Sequence, residues 1–433
     1  MKKIVVFGPG PGFKGGIANF TISLVKAFAM IEDTETHAVS WTKNQYPFFI
    51  PREFIDSKSQ TETLEKHGVT VHYTLNYNKL STWQKTYEKI VELNPDFVVI
   101  QWSTPTQAFP IGYLIRQIKA NTGIQIIADL HFGNRKEYAK LVKWLTGYAI
   151  KYADAYVVHS YKTACEVKEL FPQINFDLIE GDDNVADNTD KPILKLYHPI
   201  YDMYSPDANF DVAAQKQALN LRQHVFLFFG FILKYKGLHN AIAAFADLAK
   251  ERDDVSLLIV GESSWQTPKK DRLYDRLKRM FSRELRAQFL SRREDEQHYR
   301  PLEMIERLGI KEKVTVVNEF VPNEDVHKYF QVSDAIVLFY EAATASGVES
   351  IAYNFNLPIV ATRVGHFPET VNEGVTGYLA NVDDISSMTE AMLNIIENPI
   401  LGENIEKVSK SLSWENYAKN VRKMATEAKL RVG

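Results

Sequence analysis

Several charged side chains fall directly after apolar runs, where a folded chain could gather them. Asp129 and His131 follow Ile124–Ala128, Lys234 and Lys236 follow Val225–Phe229 in FFGFILKYKG, and Glu341 follows Ala335–Phe339, with Glu349 in the next helical stretch. In open α/β sheets, ligand-handling groups collect outside the carboxyl ends of the strands. Two lysines beside a glycine suit a diphosphate, as point charges that neutralise a leaving group. Carboxylates beyond a strand end suit the hydroxyls of a sugar or ribose. Each lysine alone reads better as an ordinary surface residue; the ordered set carries more weight. Near the N-terminus, GPGPGFKGG places Gly8, Gly10, Gly12, Gly15 and Gly16 after a first strand. A GxGxxG spacing is present, but two prolines interrupt it and the strand around His37–Trp41 lacks the terminal acid that a nicotinamide ribose needs. No Gly-Lys-Ser/Thr closes a P-loop. Two readings remain for Gly15 and Gly16: an anion or sugar oxygen against the start of helix Ile17–Met30, or a tight turn.

The elements that must position these groups alternate. Ile4–Phe7, Phe97–Ile100, Ile124–Ala128, Tyr156–Val158 and Leu194–Tyr197 read as strands; Ile17–Met30, Ser81–Leu93, Ile111–Asn121 and Asn134–Tyr152 read as helices. The pattern restarts with strands Val225–Phe229, Leu257–Val260, Val314–Val317, Ala335–Phe339 and Ile359–Ala361. Helices fit Leu238–Lys250, Glu324–Gln331, Gly347–Phe355, Ser386–Glu397 and Trp414–Leu430. Continuous apolar strands between helices predict parallel sheets covered on both faces. The expected organisation is a Rossmann-like domain over 1–200, a hinge over 201–217, a second such domain over 218–405 and a C-terminal helix over 406–433.

Composition narrows the class. The 433 residues include 51 Lys/Arg against 54 Asp/Glu, a net charge of −3, which disfavours nucleic acid as a partner. One cysteine, Cys165, excludes an internal disulfide. The apolar start of MKKIVVFGPG is too short for a signal peptide, and the longest apolar run, Val225 to Leu233, falls well below the roughly 20 residues of a membrane span. A cytoplasmic location is the expectation, with peripheral contact to the inner face of a membrane as its extension. That extension rests on residues 265–300: Pro268 to Arg300 holds eleven Lys/Arg and six Asp/Glu, a net of +5, with apolar residues at helical spacing. Either this is a helical insert with solvated arginines, or it is a contact surface for anionic lipid or a protein. No metal site is expected, because Asp182 and Asp183 read as a solvated turn and the histidines are scattered in sequence.

The stretch YEAATASGVESIAYNFNLPIVATRVGHFPETVNEGVTGYL, from Tyr340, carries a resemblance. With the glycine loop and Phe229-Gly230 to Lys236-Gly237, it resembles the retaining nucleotide-sugar glycosyltransferases of family 4. Glu341 and Glu349 match that family's E-x7-E pattern, and Gly365, Pro368, Glu369, Gly374 and Gly377 match its downstream run. His198-Pro199 with Tyr201, and Ser413-Trp414, resemble its interdomain and returning segments. The resemblance implies the GT-B fold, an α/β architecture of two facing Rossmann-like domains with a cleft between them and a C-terminal helix returning to the first. It also implies transfer of a hexose from a nucleoside-diphosphate sugar to a glycan or lipid-linked saccharide, with no metal required. Glu349 would take the ribose and Glu341 the hydroxyls of the transferred sugar. Lys236, with Lys234 and the backbone N–H groups at Ser346 and Gly347, would take the diphosphate. Gly15 and Gly16 would lie near the phosphate, and His131 would hydrogen-bond the donor sugar. Three positions depart from the pattern: Phe231 where an arginine is common, Phe132 where an aspartate or asparagine is common, and His366 for a frequent glycine. A non-catalytic sugar-nucleotide-binding or partner-binding protein of the same fold is the alternative. For the acceptor, Trp41, Tyr46, Phe48, Phe49, Trp83 and Trp102 would either stack on sugar faces or fill the core.

Overall fold

The computed structural model describes residues 1–13, 16–42, 59–131, 139–181, 183, 190–201, 203–263, 298–343 and 346–429. The chain divides into two compact units, Met1–Pro199 with Leu412–Gly433, and Ile200–Ser411. The first is built on eight parallel strands in the order β3-β2-β1-β4-β5-β6-β8-β7. They are β1 (Lys2–Phe7), β2 (Thr34–Trp41), β3 (Thr70–Leu75), β4 (Phe97–Trp102), β5 (Gln125–Leu130), β6 (Ala155–Val158), β7 (Phe176–Glu180) and β8 (Lys191–Lys195). The second has six parallel strands in the order β11-β10-β9-β12-β13-β14. These are β9 (His224–Phe229), β10 (Val255–Val260), β11 (Val314–Val317), β12 (Ala335–Leu338), β13 (Ile359–Thr362) and β14 (Gly377–Ala380). Both sheets thus contain the doubly wound order 3-2-1-4-5-6, whose switch point lies between the first and fourth strands of each unit.

The central strands are buried along their whole length, which is why they read as uninterrupted apolar runs: every residue of β4, β5 and β10 is buried. Crossover helices cover the faces. Leu238–Glu251 buries Leu238, Ala241, Ile242, Phe245 and Leu248 at three- and four-residue spacing against β9 and β10. The structure adds β3, β7 and β14 to the expected strands, and it starts the expected helix Ile111–Asn121 at Ala108. The stretch 201–217, expected as a hinge, carries most of helix Val212–Ala218, nucleated by Asp211, whose Oδ1 accepts from the Ala214 N–H at 2.9 Å. Of the aromatics, Trp102 is fully buried and Trp41 nearly so, both in the first core. They fill that core and are not open to a sugar. Trp83 is half-buried against it and donates Nε1–H to the Asn76 carbonyl. Tyr46, Phe48, Phe49, Phe132 and Asp182 lie outside the described residues, as does the basic insert up to residue 297.

The last helix, Trp414–Lys429, belongs to the first unit and packs on helix Gly16–Ala29. Its anchor is aromatic. Phe20 presents its ring edge-on to Trp414 at 4.7 Å and to Tyr417 at 5.6 Å, a geometry favoured by the ring quadrupole. Among the described residues no helix is long and apolar enough to cross a membrane. Replacing Trp414 by alanine should cost about 3–5 kcal/mol. In urea unfolding followed by circular dichroism, that loss should shift the transition of the first unit and leave that of the second in place.

Candidate functional site

In the first unit the sheet register builds a polar cluster. Gln101 on β4 stands opposite Asp129 on β5, and Asp129 opposite Val157 on β6. Side chains two residues apart share a face, so His131 follows Asp129, and His159 follows Val157, toward the same carboxyl-end region. Asp129 has no accessible surface, and Gln101, His159 and the His131 side chain are also buried. Tyr417 donates its hydroxyl to Asp129 Oδ2 at 3.0 Å, and Gln101 Nε2 donates to the same oxygen at 3.1 Å. His159 Nε2 lies 3.1 Å and His131 Nε2 3.7 Å from Asp129 Oδ1. Burial alone would raise the Asp129 carboxyl, but His131, His159 and the Gln101 amide outweigh it and hold the group below its usual range. Burial, partly offset by the Asp129 charge, pushes the His131 imidazole down to about 4, so it is uncharged at neutral pH.

The sequence drew attention to Asp129 and His131. It missed Gln101, His159 and Tyr417, which come together only through strand register and the returning helix. One acid and two histidines also have ligand atoms within 4.8 Å of one another, a grouping that scattered sequence positions do not reveal. Gly16 is the exposed first residue of its helix, whereas Gly15 lies outside the described residues.

In the second unit the candidates collect at the ends of β9 and β12, on either side of the switch point. Lys234–Lys236 form a single 3-10 turn after β9. Lys236 folds back over Gly230, where an added Cβ would stand 2.9 Å from Nζ; the glycine leaves room for the amine. Burial pushes the Lys236 amine down to about 8, and among the described residues no carboxylate pairs with it. Glu341 is tied to that turn, its backbone N–H donating to the Tyr235 carbonyl at 2.8 Å. Its Oε1 lies 3.5 Å from His239 Nε2, and His239 Nδ1 lies 2.9 Å from the Tyr299 hydroxyl. Burial lowers the His239 imidazole, with Glu341 opposing. The sequence missed His239, whose only signal is its position in KGLH at the start of a helix.

Ser346 caps helix Gly347–Asn354, its Oγ accepting from the Glu349 N–H at 3.4 Å. Gly347 faces Tyr201, whose ring would meet an added Cβ at 2.9 Å. Glu349 is buried and already has two partners: Thr370 Oγ1 donates to one oxygen, and His366 Nε2 meets the other. His366 reaches it from a turn in which Gly365 takes φ 60°, a conformation and close approach to the Ala343 carbonyl that a side chain would block. His366, which stands in place of a frequent glycine, is buried and turned onto Glu349. Phe231 is exposed beside the lysine turn.

An amine without a carboxylate partner, a capped helix N-terminus and two carboxylates on one switch point suit a ligand carrying both negative charge and hydroxyls. Residues 209–421 match the model of the family glycosyl transferases group 1. The chain is 39% identical over 74 residues to an uncharacterized glycosyltransferase of Methanocaldococcus jannaschii, covering 16% of this chain and 21% of the relative. It is 24% identical over 116 residues to the N-acetyl-alpha-D-glucosaminyl L-malate synthase of Bacillus anthracis, covering 27% and 30%. The chain therefore spans less than a third of the length of either relative. Anabaena HepE, solved in complex with UDP-glucose, superposes with a TM-score of 0.60 at 15% identity, covering 99% of both chains. That likeness shows the GT-B fold.

The Lys236 shift has a stability consequence. Between pH 8 and 10.5 the unfolded chain holds the Lys236 proton more tightly than the folded one, so this group makes stability rise with pH across that window. Lys236→Met should remove that slope, which urea unfolding of both proteins across the window will measure.

Proposed function

We propose that the chain is a retaining glycosyltransferase that moves a hexose from a nucleoside-diphosphate sugar to a hydroxyl of a glycan or lipid-linked saccharide. The observation that carries this reading is the grouping of Lys236, Glu341 and Glu349 at one switch point, inside the stretch that matches glycosyl transferases group 1. The UDP-glucose bound to the Anabaena protein and the N-acetyl-alpha-D-glucosaminyl product named for the Bacillus anthracis synthase support a nucleotide-sugar donor. Lys236 and Lys234 would neutralise the diphosphate, helped by the N–H groups at Ser346 and Gly347. Glu349 has lone pairs left for a ribose hydroxyl, and Glu341 would accept from hydroxyls of the transferred sugar. Gly15, Gly16 and His131 would complete the donor contacts.

The barrier is loss of the diphosphate while positive charge builds on the sugar ring. The anomeric C–O bond to phosphate breaks as the acceptor oxygen attacks from the same face. The acceptor's proton passes to the departing phosphate oxygen, which keeps the anomeric configuration without an enzymatic nucleophile. No metal is assigned to this step. The work is done in the cytoplasm, with the basic insert as the surface for peripheral membrane contact.

A second reading, a sugar-nucleotide binder without turnover, is favoured by Phe231, which stands where an arginine is common in the resembled family. Thermal-shift titration with UDP, GDP, ADP and their sugar conjugates should give a saturable rise in Tm with one nucleotide class. Glu341→Gln should then lower turnover about 100-fold or more while the nucleotide Kd stays within a few fold. Binding without transfer or donor hydrolysis in the wild type would favour the second reading. Unchanged turnover in the variant would remove Glu341 from the reaction.

A further inference from the structure

Gln101, His159 and Tyr417 converge on Asp129, and the hydrogen count of that cluster can be worked out atom by atom. His159 Nδ1 lies 3.1 Å from the Leu196 carbonyl oxygen. A carbonyl only accepts, so Nδ1 carries a hydrogen. His159 Nε2 lies 3.1 Å from Asp129 Oδ1 as an ion-pair contact, and among the described residues neither atom has a hydrogen-bond partner. A bare Nε2 there would set two lone pairs against each other in a site with no accessible surface. A proton on Nε2 removes that conflict and leaves a carboxylate–imidazolium pair of zero net charge.

Asp129 Oδ2 is occupied by the Tyr417 hydroxyl and the Gln101 amide N–H. The amide is thereby fixed in orientation, with its carbonyl oxygen turned to His131 Nε2. That oxygen only accepts, so Nε2 of His131 carries its hydrogen and a neutral ring is bare at Nδ1. Phe20 closes on the His131 ring edge-on at 4.4 Å, and the His159 ring stacks on it at 4.9 Å and 25°. A charged His159 in that position also opposes a second proton on His131. His198, whose ring centroid lies 5.8 Å from that of His159, is the other titratable ring at the cluster.

We infer that Gln101, Asp129, His159 and Tyr417 are positioning residues that hold His131 as the neutral Nε2–H tautomer, with Nδ1 as the one ring atom able to accept from a substrate hydroxyl. This deepens, and rests on, the transferase reading above. The same acid and two histidines have the spacing of a cation site. A divalent ion with one carboxylate would leave a net positive charge buried, whereas the proton-holding pair is neutral.

The test uses the full-length protein with 15N-labelled histidine, its metal content measured alongside. At neutral pH, long-range proton–nitrogen spectra should show His131 in the Nε2–H form and His159 doubly protonated, assigned with His131→Gln and His159→Gln. Gln101→Leu should release His131 into a mixture of tautomers and lower transfer about 10- to 100-fold, with nucleotide Kd unchanged. Three outcomes overturn the inference: a wild-type His131 in the Nδ1–H or doubly protonated form, one equivalent of bound metal per chain, or a Gln101→Leu protein with unaltered tautomer and rate. If the wild type transfers no sugar from any donor, the transferase reading falls, and the spectra still decide the tautomer.

Discussion

A carboxylate with no accessible surface, Asp129, sets the terms for the first unit. An isolated buried charge is too costly to persist, so its oxygens must be met by donors or cations. The strand register delivers Gln101 from one side, the end of β6 delivers His159 from the other, and the last helix delivers Tyr417 across 288 residues of sequence. Phe20 is the apolar counterpart of this closure, touching His131, His159, His198, Trp414 and Tyr417 with one ring. The C-terminal helix is therefore joined to the strand-end cluster by the Tyr417–Asp129 hydrogen bond and by the Phe20 ring.

The second unit meets the same constraint differently. Glu349 is buried near the N-terminus of a helix, where the backbone dipole favours a negative charge, and Thr370 and His366 meet its two oxygens. Tyr353 supports that arrangement by donating to the Thr370 carbonyl at 2.8 Å. Lys236 is the opposite case. Its amine is depressed by burial, with no carboxylate beside it among the described residues. In the proposed function, a dianionic group reaching Nζ would supply the missing countercharge and return the amine toward its ordinary basicity.

How far the sequence could be read depends on how local the signal was. Strands buried on both faces, such as β4 and β10, declare themselves as apolar runs. β3, TVHYTL, is half-exposed and polar at alternate positions, while β7 and β14 are short and lie at sheet edges. Lys236, Glu341 and Glu349 stood out because each lies in the turn or helix that follows an apolar strand. Gln101, His159 and Tyr417 could not, because nothing in their neighbourhoods marks them until β4, β5, β6 and the last helix are laid side by side. His366 was noticed for what it replaces, but its partner Glu349 is fixed by the turn at Gly365, which spacing alone does not determine.

Two sheets of the same 3-2-1-4-5-6 order thus present different electrostatics at their carboxyl ends. The second offers a cationic amine and acidic groups, the first a histidine held without charge. For the proposed transfer a neutral His131 has a physical logic. Positive charge builds on the sugar ring as the diphosphate leaves, and an imidazolium against that ring would raise the barrier in a low-dielectric site. A neutral imidazole can accept from a sugar hydroxyl at no such penalty. The Asp129–His159 pair secures that neutrality by placing a positive ring against His131 and balancing it with a carboxylate. The cluster is electrically silent as a whole, yet it still fixes which nitrogen of His131 is bare.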